Sequence, residues 1–458
     1  MSHAHTRHPR KFQSARGTIG VSAPQRASIW PRPELLFPPL SADCKQALEH
    51  LPEVLQAVWP LSRAHRRSLP DDIAALSRLL TVERRDLRHP YWSTPAFISA
   101  YLYYFLPWNI VRLSRLLAAL PLPAPAAVPD AEALLMDVGS GPLTLPLALW
   151  LARPSWRAAP IRVLALDSAA RPLELGKALL KVWGQRMGWP VWSVRTACGS
   201  LESLPRQAAP MLRGEKNCYS WLITAANVIN ELRPVRKGRA EDFPEEDSAD
   251  GLQVALSEES KVHGQERLGG VLNALAPLLF HSREALQAVV PSLLFVEPGT
   301  RLGGMTIMQL RALALEGGLA SVLPCLHDAA CPLLAGQAGR TWCHFTFDCE
   351  GAPGWLQSLS REAGLGKTAL SLSPLLLQPV SPVRSAHDVR VISAPFFVPG
   401  LRGKARYACG AGGLVLLEDA TGLHSGSSLP VQIPHGGRRD AKSQALIVPR
   451  PSGSGRKA

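Results

Sequence analysis

The sequence predicts an α/β protein built on a doubly wound, largely parallel nucleotide-binding sheet. Three observations predict it. Residues 134–138 form a short apolar run, the turn Gly139-Ser140-Gly141 follows, and a helix begins at Thr144. A second apolar run, 162–166, ends on Asp167 and leads into a helix over 172–183. Further apolar runs at 193–196, 221–225 and 292–296, with a helix over 262–280, continue the alternation of strand and helix.

The turn has its own chemistry. Gly139 and Gly141 let the backbone approach a ligand with no Cβ in the way. A carboxylate at the end of the second strand, Asp167, can accept both hydroxyls of a ribose. The dinucleotide fingerprint GxGxxG is absent, because position 144 is Thr. Asp137, two residues before the first glycine, would repel a phosphate and welcome an amino group. Both features favour S-adenosylmethionine over a dinucleotide. Asn227 follows the strand at 221–225 and therefore faces the ligand crevice, unless it serves only as a helix N-cap.

Around this unit the chain divides by composition. Residues 1–39 hold six Lys or Arg between Arg7 and Arg32, no acidic residue before Glu34, and helix-breaking prolines; they read as a disordered basic arm. Residues 40–120 carry helical spacing, with starts at Pro52 and at Pro70-Asp71 and a kink or break at Pro107. Their aromatic run could stack on RNA bases, but rings at this spacing are more often core. The Pro/Ala segment 121–129 is a stiff linker. The nucleotide-binding domain is assigned to 130–320, interrupted by a polar loop over 233–252. A cysteine-rich module with a terminal β-meander is assigned to 321–420, and a disordered basic tail to 421–458.

The chain has 458 residues and a net charge of +14, which favours an anionic partner without fixing the fold. The apolar stretch 142–152 is too short to span a bilayer, so no membrane role is expected.

Four of the eight cysteines, Cys325, Cys331, Cys343 and Cys349, share one short stretch, and Cys409 follows in KARYACG. Thiolates this concentrated hold zinc or an iron–sulfur cluster, or else are small apolar residues met in a core. Paired C-x2–4-C knuckles are missing, which favours a cluster, although His327 and His344 could complete a zinc site.

In order, the chain carries YLYYFLP, DVGSGP, LALD, ITAANVINEL, LLFVEPGT, CLHDAACP, WCHF and RYAC. This series, over roughly 90–420, resembles the methyltransferase-like family of the mitochondrial small ribosomal subunit and its bacterial relatives. The resemblance implies a Rossmann-like class I methyltransferase sheet with an N-terminal helical region, an inserted cysteine-rich module and a C-terminal β-meander. It implies a [4Fe–4S] cluster on Cys325, Cys331, Cys343 and Cys409, and not on Cys349. Family members usually read Cys-Pro-His at the first ligand, where this chain has Cys325-Leu326-His327.

The resulting expectation is a protein acting on small-subunit rRNA in assembly or translation, with possible methylation, and monomeric off the ribosome. Asp137, Gly139, Ser140 and Gly141 would hold the methionine end of S-adenosylmethionine, Asp167 the ribose, and Asn227 would line the pocket. Neither a Pro-Pro-aromatic nor a Pro-Cys run follows the strand at 221–225, so catalytic residues are not assigned. The thiols place the chain in a reducing interior, a bacterial cytoplasm first and a mitochondrial matrix second. The alternative is a zinc-stabilised methyltransferase acting on a protein or a small molecule.

Overall fold

The computed structural model describes residues 34–81, 91–122, 124–125, 131–213, 217–229, 258–280, 289–334, 341–382, 384, 387–433 and 436–449. The arm before residue 34, most of the Pro/Ala linker, the charged loop 233–252 and residues 450–458 lie outside the described residues.

The helical region holds α1 (Ala42–Glu49), α2 (Leu51–Val58), α3 (Arg63–Thr81), α4 (Pro95–Ala100) and α5 (Leu106–Ala119). Ser41 caps α1, its Oγ accepting from the Cys44 N–H at 3.2 Å. Pro52 sits in the first turn of α2. Pro70, expected to open a helix, instead lies inside α3. The carbonyl that loses its donor there belongs to exposed Arg66, where water can serve it. Pro107 sits in the first turn of α5, after a single π-helical turn, Tyr101–Phe105, that joins α4 to α5. Trp92, Tyr103, Tyr104 and Trp108 are buried, so these rings belong to the core and offer no stacking surface.

The central sheet follows. It runs β1 (Ala131–Val138), α6 (Thr144–Ala152), β2 (Ile161–Asp167), α7 (Ala170–Met187), β3 (Ser193–Cys198), α8 (Leu204–Leu212) and β4 (Asn217–Ala226). It continues through α9 (Glu258–Leu275), β5 (Ser292–Pro298), α10 (Arg301–Glu316), β6 (Ala320–Leu323), β7 (Phe345–Asp348), α11 (Gly354–Glu362) and β8 (Ala369–Gln378). The strand order is β3-β2-β1-β4-β5-β8-β6, with β7 also on β8. Strands β1 to β5 pair in parallel, whereas β8 is antiparallel to β5 and to β6. One reversed strand between β5 and β6 is the arrangement of a class I methyltransferase sheet. The apolar runs that predicted β1, β4 and β5 are buried on both faces, as parallel strands covered by helices must be.

A second sheet holds β9 (Asp388–Val391), β10 (Phe396–Phe397), β11 (Lys404–Gly410), β12 (Gly413–Leu417), β13 (Ser428–Pro430) and β14 (Leu446–Val448), in the order β13-β9-β11-β12-β14 with β10 on β11.

Three sequence boundaries are corrected. The nucleotide-binding sheet does not stop at 320, because β8 supplies its reversed strand. The tail from 421 is not disordered through its described length: Leu423, Leu429, Val431, Leu446 and Val448 fill the core of the second sheet. Positions 34–39 of the basic arm are packed, with Leu36 and Phe37 buried. Arg115 of α5 fixes them. Its guanidinium donates to the carbonyls of Phe37 and Pro38, both at 2.9 Å, and pairs with Asp348 of β7 at 2.6 Å.

Candidate functional site

Two sets of residues carry chemistry. The first is the turn after β1. Gly139 and Gly141 have φ of 64° and 52°, in the left-handed region that only glycine enters freely. A Cβ on Gly139 would lie 2.5 Å from Val228 Cγ2, so this glycine also admits the chain leaving β4. Gly176 of α7 presses on the same turn, where a Cβ would lie 2.5 Å from the carbonyl carbon of Pro142.

Asp167 closes the turn. Its Oδ2 accepts from the Gly141 N–H at 2.8 Å and its Oδ1 from the Ala169 N–H at 3.0 Å. Each oxygen keeps a lone pair for a further donor. Asp137 is buried and accepts from the Thr224 hydroxyl. Burial pushes its carboxyl up to about 7, against the pull of neighbouring hydroxyls. The Ser140 hydroxyl is buried facing Asp137, and the Thr144 hydroxyl is buried at this turn without a partner among the described residues. An unmet donor beside a glycine cradle fits a polar ligand.

Asn227 ends β4 at φ 58°, and its N–H donates to the Val296 carbonyl at 2.8 Å. Its Oδ1 accepts from Arg112 of α5 at 3.2 Å. Arg112 also donates to Asn109 Oδ1 at 2.6 Å and to the Ser371 carbonyl at 3.2 Å, and its buried Nε has no partner among the described residues. Glu297, at the end of β5, accepts from the Ile229 N–H at 2.9 Å. Thus Asp137, Asp167, Asn227, Arg112 and Glu297 gather along the carboxyl edge of the sheet, where ligands of such folds bind. Sequence reading missed Arg112. Its only signal was an arginine in the apolar helix segment WNIVRLSRLL, which also holds Arg115.

The second set is a cavity. Cys325 and Cys331 lie on the connection after β6, Cys343 just before β7, and Cys409 on β11 of the second sheet. All four line one cavity, together with Ile307, Met308 and Arg311 of α10, Phe345 of β7, and Arg390 of β9. Cys349 is not among the lining residues. Neither is His344, whose ring stacks on Trp342 at 4.7 Å. His327 is close, with its Nε2 3.8 Å from Cys409 Sγ.

The ligand loops are pinned from several sides. Ser373 of β8 donates to the Cys343 carbonyl at 2.8 Å. Arg384 donates to the Cys325 carbonyl at 3.2 Å and pairs with Asp328. Arg390 sits directly opposite Cys409 across the β9–β11 ladder. None of the eight cysteines is in a disulfide.

Burial, and then the neighbouring thiols, raise Cys343 and Cys409 well above the ordinary thiol range. Four sulfurs facing one cavity, Cys343 buried and the other three half-buried, are a donor set for a soft metal or a cluster, since a cation there would offset their mutual repulsion. Among the described residues, however, no three His, Cys, Asp or Glu side chains converge in the geometry of a bound metal ion.

Comparison with known proteins adds the following. Residues 277–352 match the family model described as mitochondrial small ribosomal subunit Rsm22. No curated protein sequence matches the chain. Among solved structures, the [4+2]-cyclase SpnF is 14% identical and covers 60% of this chain and 81% of its own, at a TM-score of 0.25. A putative sarcosine dimethylglycine methyltransferase from Galdieria sulphuraria is 12% identical over 63% and 89%, at 0.24. The delta-N METTL16 methyltransferase domain is 10% identical over 68% and 97%, at 0.26. These scores are low, and the class I methyltransferase fold rests on the strand order described above. No helix among the described residues is long and apolar enough to cross a membrane.

Proposed function

We propose that this chain is an S-adenosylmethionine-binding protein of the small ribosomal subunit, acting in its assembly or in translation and carrying a structural [4Fe–4S] cluster. The observation that carries the reading is the cavity. It gathers Cys325, Cys331, Cys343 and Cys409, the four that the family resemblance names, and leaves out Cys349, which lies closer in sequence. The match of 277–352 to the Rsm22 model spans the first three of these cysteines and supports the ribosomal assignment. It also raises the mitochondrial matrix above a bacterial cytoplasm as the compartment.

S-adenosylmethionine, when bound, supplies an electrophilic methyl group. The chain's own residues would do the rest. Asp167 would accept ribose hydroxyls while holding the Gly141 amide. Gly139 and Ser140 would face the methionine end, and Asp137 would offer negative charge beneath it. Asn227 would line the pocket with its oxygen held by Arg112. The cluster would tie the connection after β6 to β11, and so brace one sheet against the other. The net charge of +14 would serve contact with rRNA phosphates. Methylation of rRNA belongs to this reading only as an added activity, with no residue assigned to the transfer step.

Co-sedimentation with purified small subunits over a salt series tests the partner. Binding that weakens steeply with salt is expected. Equal retention on large subunits, or none on small ones, would overturn the ribosomal reading. Calorimetric titration with S-adenosylmethionine tests the pocket, where binding by wild type and its loss in Asp167→Ala are expected.

A further inference from the structure

Arg311 is an arginine in the apolar segment LGGMTIMQLRALALE of α10. It is 2% exposed and lines the four-cysteine cavity. Such a charge is rarely buried without an anionic partner. It meets neutral groups: the guanidinium donates to the His327 carbonyl at 2.7 Å and the Ala329 carbonyl at 2.9 Å. Both carbonyls lie on the loop between Cys325 and Cys331. Its Nε is buried with no partner among the described residues. The positive charge opposes the upward shift of Cys325, Cys343 and Cys409 alike.

A [4Fe–4S] core in its oxidised form carries less positive charge than its four thiolates carry negative, so the loaded site is an anion. We propose that Arg311 is a buried counter-charge of that site, beside Arg390, with its Nε–H donating to a sulfur of the loaded cluster, and that it helps set how readily the cluster accepts one electron. The inference rests on the cluster reading above. Arg311 is a positioning residue: two of its bonds fix the loop between two ligands, and the Nε–H is left for the anion. Reduction adds one negative charge to the cluster, and a nearby cation and donor favour that charge.

The test uses full-length wild type, Arg311→Lys and Arg311→Gln, purified without oxygen. Iron and sulfide are counted, and the midpoint potential is measured by titration with a chemical reductant. The glutamine variant is expected to have a lower potential than wild type, with lysine between the two. A glutamine variant that loads fully and keeps the wild-type potential overturns the proposal.

If the glutamine variant does not fold or load, pulsed electron paramagnetic resonance on the reduced protein with isotope-labelled arginine decides. Coupling to an arginine nitrogen in wild type that disappears in Arg311→Lys supports the proposal, and its absence from wild type overturns it. Wild type lacking iron and sulfide overturns the underlying cluster reading, and this inference with it. That outcome is distinct from a loaded protein indifferent to Arg311.

Discussion

The turn after β1 and the cysteine cavity are built in opposite ways. The turn is local. Asp137 and Asp167 lie at the ends of two adjacent strands, Gly139 and Gly141 in the turn after the first, and the Gly141–Asp167 hydrogen bond closes it within a single strand–helix–strand unit. The cavity is remote. Three of its cysteines arrive on one connection and the fourth on a strand of the other sheet. A local site can be read from spacing, whereas a remote one depends on how whole sheets pack. Spacing alone would have chosen Cys349, only six residues beyond Cys343, over Cys409.

The two sites should therefore break separately. The largest effect at the turn is expected from Gly176→Ala. The added methyl would meet backbone of Pro142, which cannot rotate away. A cost of about 3 kcal/mol is expected, typical of overpacking against an unyielding neighbour. Thermal unfolding should show the loss, calorimetry should show weakened S-adenosylmethionine binding, and the iron content of the folded fraction should stay unchanged. Loss of iron in that fraction would mean the two sites are coupled.

A smaller effect should come from Asp137. Its native carboxyl titrates at about 7, above the ordinary 3.8, so the native state holds a proton that the unfolded state has released. That contribution is complete below about pH 4 and is lost as pH rises through 7. Asp137→Asn, which can still accept from Thr224, should gain stability relative to wild type across this window and then level off. Denaturant unfolding at a series of pH values measures it, and a difference independent of pH would contradict the burial account.

The smallest effect sharpens the contrast from the other side. Cys349→Ser should leave iron and sulfide content unchanged, because this thiol does not line the cavity.

Much of the central sheet was legible because its apolar runs are short, doubly buried and separated by helices. Strand β8 was not. Its sequence, ALSLSPLLLQ, contains Pro374, which argues against a strand with neighbours on both sides. The fold accommodates it where one edge changes partner: β7 pairs up to Leu372 and β6 begins at Leu376. The tail hid its strands for another reason. Ser428–Pro430 and Leu446–Val448 are three residues each, too short to show a period among glycines and serines. Pro70 misled as a helix boundary because the carbonyl it leaves without a donor belongs to exposed Arg66. The residues of the turn were legible from their spacing. Arg112 and Arg311 were not, since their importance comes from what packs around them. Cys409 was legible only through likeness to a family.

The most direct test is elemental. Wild type, Cys409→Ser and Cys349→Ser would be purified without oxygen and assayed for iron, acid-labile sulfide and zinc, with absorption spectra. About four irons and four sulfides per chain are expected in wild type and Cys349→Ser, with a broad band at about 400 nm, and their loss in Cys409→Ser. One zinc without sulfide, or a cluster that survives loss of Cys409 but not of Cys349, would contradict it.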